Sequence, residues 1–161
     1  RAAAQPGALT LVVADGLCAS GVKAQAARLV AALAPGLRDD GWDLAPVVVA
    51  TQARVALGDD VGEALGAAAV AVLIGERPGL SATDSLGVYL TWAPRRGRSD
   101  AERNCISNVR PGGMGVAEAA RKLRWLLAGA RRLGVTGVAL KDEEPAALGG
   151  TPAPATIRRS P

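Results

Sequence analysis

The sequence predicts an α/β domain built on a doubly wound, mainly parallel sheet with helices on both faces. Short continuous apolar runs, such as LTLVVA (9–14), suit strands buried on both sides. Stretches with apolar residues at helical spacing separate these runs, the order expected of crossover helices between parallel strands. No internal repeat competes with this reading.

The first strand, 9–14, ends at Asp15 and Gly16. Val22, Ala26, Leu29, Val30 and Leu33 then recur at helical spacing after a Ser20 cap, and Pro35 with Gly36 stops the pattern. LAPVVVATQ (44–52) is a second strand with Pro46 at its start, since proline cannot donate to a ladder. LGDDVGEALG (57–66) is a brief helix in which Asp60 and Glu63 match a capping box and Gly66 provides the exit. AAAVAVLIG (67–75) is the third strand. Pro78 and Gly79 make a turn that pushes Arg77 to an extended conformation.

In LGVYLTWAP (86–94), Val88, Leu90 and Trp92 alternate with Gly87, Tyr89 and Thr91, a strand pattern. A polar loop (95–104) leads to a short strand, CISNV (105–109). The last helix lines Val116, Ala119, Ala120, Leu123, Leu126, Leu127, Ala130 and Leu133 on one face and stops at Gly134. GVAL (137–140) adds a final strand. The chain thus divides into a leader (1–8), one domain (9–143) and a Pro/Gly/Ala-rich tail (144–161) expected to be disordered. It begins at Arg1 without an initiator Met, which leaves a processed, a truncated and a partly observed leader as the open readings.

Composition narrows the chemistry. The 161 residues include no histidine, which removes the usual neutral-pH proton carrier and the commonest metal ligand. Cys18 and Cys105 lie far apart and read as free thiols. No apolar run approaches the length that spans a bilayer and no signal peptide is evident, so the chain reads as cytoplasmic and free of the membrane. Residues 95–132 carry ten basic against three acidic side chains, a patch suited to phosphate or to a solvated helix face. Few aromatics are interleaved for stacking on bases, so no nucleic-acid partner is expected.

In open α/β sheets ligands bind beyond the carboxyl ends of the strands, which selects the loops Asp15–Ser20, 52–55 and 75–85. ADGLCASG lacks the G-x-G-x-x-G spacing of a dinucleotide loop. Glu76, closing the third strand, can be a solvated turn residue, a general base or an acceptor for something bound in the crevice. Ser81, Thr83, Asp84 and Ser85 form a hydroxyl-rich turn with no base to activate a nucleophile. Asn104, Cys105, Ser107, Asn108 and Arg110 read together as a binding surface.

The segments RVALGDDVGEALGA, VLIGERPGLSATDSLGVYLTWAPR and DAERNCISNVRPGG, followed by EAARKL and GVALKDE, closely resemble the small subunit (light chain) of ethanolamine ammonia-lyase over about residues 9–143. Cys18 differs from the small hydroxyl residue expected at its place. The resemblance implies a Rossmann-like domain that covers adenosylcobalamin, held base-on, at the interface with a catalytic large subunit. The assembled enzyme would convert ethanolamine to acetaldehyde and ammonia, in the cytoplasm or within a bacterial microcompartment. Carried over by motif, the cobalamin contacts fall on Val55 of RVALGDD, Glu76 of IGERPG and Cys105 of NCISN, with no catalytic or metal-ligating residue in this chain. A stand-alone corrinoid- or nucleotide-binding domain without lyase activity is the alternative.

Overall fold

A computed structural model of the chain describes residues 7–141. The elements run β1 (Leu9–Ala14), α1 (Ala19–Asp39), β2 (Val48–Ala50), α2 (Leu57–Leu65), β3 (Ala69–Glu76), β4 (Ser85–Trp92), β5 (Asn104–Val109) and α3 (Val116–Leu133). Single 3₁₀ turns lie at Pro78–Leu80, Asp100–Glu102 and Gly137–Ala139. The five strands form one sheet in the order β2-β1-β3-β4-β5.

The expected doubly wound, mainly parallel, Rossmann-like sheet is not what forms. β1 lies parallel to β2 and β3, but β3 pairs antiparallel with β4 and β4 antiparallel with β5. The cause is chain length. Only residues 77–84 join β3 to β4, and a parallel crossover needs a dozen or more residues, so these strands close as a hairpin. GVAL forms no sixth strand either: Gly137, at φ 79°, breaks the extended path and residues 137–139 make a 3₁₀ turn.

Strand alternation sorts the core into two layers. Leu9, Leu11, Ala69, Ala71, Leu73, Leu86, Val88, Leu90 and Ile106 face α1 and α3, whose Leu29, Leu33, Leu37, Leu123, Leu126 and Leu127 are buried against them. Full burial of each leucine contributes about 1.5–3 kcal/mol. Val12, Ala14, Val70, Val72 and Ile74 face the other way, where Val55, Leu57 and Val61 pack on them. α2 therefore covers β1 and β3, while Cys105 and Ser107 on β5 stay exposed on that side.

Several local expectations shift. α1 continues through Pro35 to Asp39, because Leu37 extends the buried stripe one turn further, and it starts after Cys18 without a side-chain cap. Asp60 lies inside α2, where Arg96 pairs with it, so it is no capping residue; Gly66 ends the helix in the left-handed region at φ 65° as expected. β2 shrinks to three residues, with Leu44 bridging to Leu9 before Pro46 interrupts the ladder. The leader up to residue 6 and the tail from 142 lie outside the described residues.

Candidate functional site

β1 feeds β2 on one side and neighbours β3 on the other, so the carboxyl ends of β1 and β3 flank the point where the strand order reverses. The backbones there are in close contact. Leu17 N–H donates to the Gly75 carbonyl at 2.9 Å, and a Cβ on Gly75 would collide with the carbonyls of Cys18 and Asp15. Asp15 accepts from the backbone N–H groups of Gln52 (2.7 Å) and Ala53 (3.1 Å), bonds that hold its carboxyl below the usual range. They also hold Gln52 in the left-handed region at φ 53°, fixing the path into Val55 and α2.

Glu76 ends β3 directly opposite Ser85, the first residue of β4. Its carboxylate lies over Gly87, where a Cβ would run into it, and its Oε1 accepts a hydrogen bond from the Tyr89 hydroxyl. Tyr89 stands opposite Cys105 of β5, so phenol and thiol leave the sheet on the same face. Burial first, and then the bond to Glu76, push the Tyr89 hydroxyl well above its ordinary pKa. Crowding by the sheet raises the Cys105 thiol; the polar hydroxyl of neighbouring Tyr89 opposes this and the charge of Glu76 reinforces it. Val55 is half-buried in the apolar cluster that also receives Tyr89.

Glu76, Tyr89 and Cys105 are thus side by side on the half of the sheet that α2 leaves open, with Val55 on the α2 side. An exposed thiol, an apolar wall and a carboxylate make a surface that accepts amide donors and apolar edges. No nucleophile–base pair is formed among them. Cys18 is buried and its thiol donates to the Thr83 carbonyl at 2.9 Å, tying the start of α1 to the β3–β4 turn; Ser20 Oγ donates to the same carbonyl.

Other residues expected in a site turn out to hold the fold. Asn104 donates to the Leu140 carbonyl (2.9 Å) and accepts from Gly137 N–H (2.7 Å), anchoring the segment after α3. Asn108 sits at φ 58° where the β4–β5 register shifts, and accepts from Arg110 Nε at 2.7 Å. The basic patch is largely consumed internally: Arg96 pairs with Asp60, Arg98 with Glu102, Arg103 with Asp59 and Arg124 with Asp40, while Arg131 stacks 3.7 Å above Trp42. Sequence reasoning passed over Tyr89, although its place on the face opposite Val88 and Leu90 marked it as turned away from the main core.

Among the described residues, no helix is long and apolar enough to cross a membrane. The family model for the ethanolamine ammonia-lyase light chain (EutC) matches residues 1–141. The chain is 57% identical over 144 residues to the ethanolamine ammonia-lyase small subunit of Ralstonia nicotianae, covering 88% of this chain and 53% of that protein. The small subunit of Bradyrhizobium diazoefficiens is 57% identical over 144 residues (89% and 55%), and that of Pseudomonas paraeruginosa 50% over 135 (84% and 50%). The chain spans about half the length of these relatives. With the match running through every strand and helix described above, the chain belongs to the ethanolamine ammonia-lyase light chain family.

Proposed function

We propose that this chain works as the small subunit of an adenosylcobalamin-dependent ethanolamine ammonia-lyase, lying against the cofactor where it meets a catalytic large subunit. The supporting observation is the open patch of Glu76, Tyr89 and Cys105 beside Val55, in a chain of this family. The residues suit a corrinoid. A carboxylate accepts the N–H groups of its peripheral amides, an apolar wall meets its hydrocarbon edge, and the Gly87 floor leaves Glu76 room to lie flat.

Bound base-on, the cofactor supplies the radical chemistry that turns ethanolamine into acetaldehyde and ammonia. This chain contributes binding and orientation. Glu76 accepts from the cofactor, Val55 offers apolar contact, and Cys105 gives a small polarizable surface that does not ligate cobalt. With no imidazole anywhere in the sequence, no side chain here competes with the cofactor's own base. The working enzyme belongs to the cytoplasm on this reading, with a bacterial microcompartment as a candidate shell.

Co-expression with a cognate large subunit tests the reading. The pair should form acetaldehyde from ethanolamine only when adenosylcobalamin is present, and this chain alone should neither turn over ethanolamine nor bind cobalamin tightly. A soluble, correctly assembled pair that stays inactive with the cofactor would overturn it.

A further inference from the structure

The two carboxylate oxygens of Glu76 are not equivalent. Oε1 is taken by the Tyr89 hydroxyl, whereas among the described residues no donor reaches Oε2, and Oε2 is not sealed in the interior. Gly87 forms the floor, so the carboxylate is held from below by backbone and from one side by the phenol. Both supports come from β4, and β4 is hydrogen-bonded to β3 along its whole length. The arrangement is rigid before any ligand arrives.

We propose that Tyr89 is a positioning residue: by bonding Oε1 it fixes the carboxylate plane and turns Oε2 of Glu76 toward an amide N–H at the edge of a bound corrinoid. This rests on the cobalamin reading above. A carboxylate with both oxygens free can rotate between orientations, whereas one already bonded at Oε1 keeps its remaining lone pairs aimed one way and spares that ordering cost on binding. Burial and the bond to Glu76 keep the phenol protonated, so it remains a donor across the neutral and mildly alkaline range.

The test uses complexes of the full chain with a large subunit and equilibrium dialysis of cyanocobalamin, a probe that undergoes no turnover. Tyr89→Phe should weaken binding about tenfold, the worth of one hydrogen bond to a charged acceptor. The adenosylcobalamin KM should rise by more than kcat falls. Gly87→Ala keeps the phenol but pushes the carboxylate off its floor, and should weaken binding as well. In a Glu76→Ala background, Tyr89→Phe should add less than about twofold, because nothing remains to be positioned. An equal penalty in both backgrounds, or a loss in Glu76→Ala with none in Tyr89→Phe and Gly87→Ala, overturns the proposal and leaves the cobalamin reading standing. A wild-type complex that fails to bind cyanocobalamin overturns both.

Discussion

The guanidinium of Arg103 grips Asp59 at two points in the interior, Nη1 to Oδ1 at 2.7 Å and Nη2 to Oδ2 at 2.8 Å. Both side chains are almost fully buried, at 3% and 4% exposure. Thr91 Oγ1 and the Arg98 carbonyl accept further N–H bonds from the same guanidinium. The pair fastens α2 to the start of β5, the strand that carries Cys105. Asp59→Asn leaves the buried cation with only the exposed Asp100 carboxylate, 3.4 Å from its Nε, and should cost about 3 kcal/mol in denaturant unfolding. Replacing both partners with apolar residues of similar volume should recover most of that loss.

Glu76→Gln keeps shape and removes charge. On the cobalamin reading proposed above, loss of a charge-assisted hydrogen bond, roughly 1.5–3 kcal/mol, should raise the cobalamin requirement of the assembled enzyme about ten- to a hundredfold while the melting temperature holds. An unchanged requirement would make Glu76 a structural turn residue.

Two glycines carry opposite expectations. At Gly75 a Cβ meets backbone carbonyls of the β1–α1 turn, which cannot yield, so Gly75→Ala should destabilise the fold by about 2 kcal/mol or more. At Gly87 it meets only the end of the Glu76 side chain, so Gly87→Ala should fold. Paired thermal melts of the two variants check this.

The Ser99 N–H, bonded at 2.8 Å, and then Arg98 hold the Glu102 carboxyl down at about 2. A depressed folded pKa stabilises fully above the unfolded value, near 4.5, and that contribution is lost as pH falls toward about 2. Melting temperatures of Glu102→Gln should therefore drop less between pH 5 and pH 2, taken as an approximate window, than those of the wild type.

Thr10 Oγ1 is buried with no hydrogen-bond partner among the described residues. Thr10→Val keeps the shape and removes an unsatisfied hydroxyl, and should stabilise the protein by about 1 kcal/mol in denaturant titration. A loss of stability of that size would mean the hydroxyl has a partner, such as an ordered water.

Much of the fold was legible because its elements are strongly periodic. β1, α2 and α3 lie where apolar spacing, Gly66 and Gly134 put them. Strand direction was the failure. A buried run such as AVAVLIGE reads alike in a parallel and an antiparallel sheet, and the alternation of strands with helices earlier in the chain suggested that the pattern continued. The deciding sign was the eight-residue connection from Glu76 to Ser85, too short for a crossover. Missing that hairpin also hid Tyr89, since only antiparallel register brings its hydroxyl to Glu76. The arginines misled for a different reason: their acidic partners, Asp40, Asp59 and Asp60, are remote in sequence, and charge counted along 95–132 cannot include them.

The crevice groups Glu76, Tyr89 and Cys105 all project from ladder residues, which makes strand length a rule for how this surface can change over time. Adding or removing one residue within β4 or β5 would turn the phenol or the thiol to the opposite side of the sheet, into the leucine core. The same change in the connection 93–103 would leave both on their face, and would act instead on the anchors of that connection, Arg103 on Asp59 above all. Strand spacing thus decides which side of the sheet the groups occupy, as fixed as the marks on a ruler, while the connection decides only how firmly β5 is held.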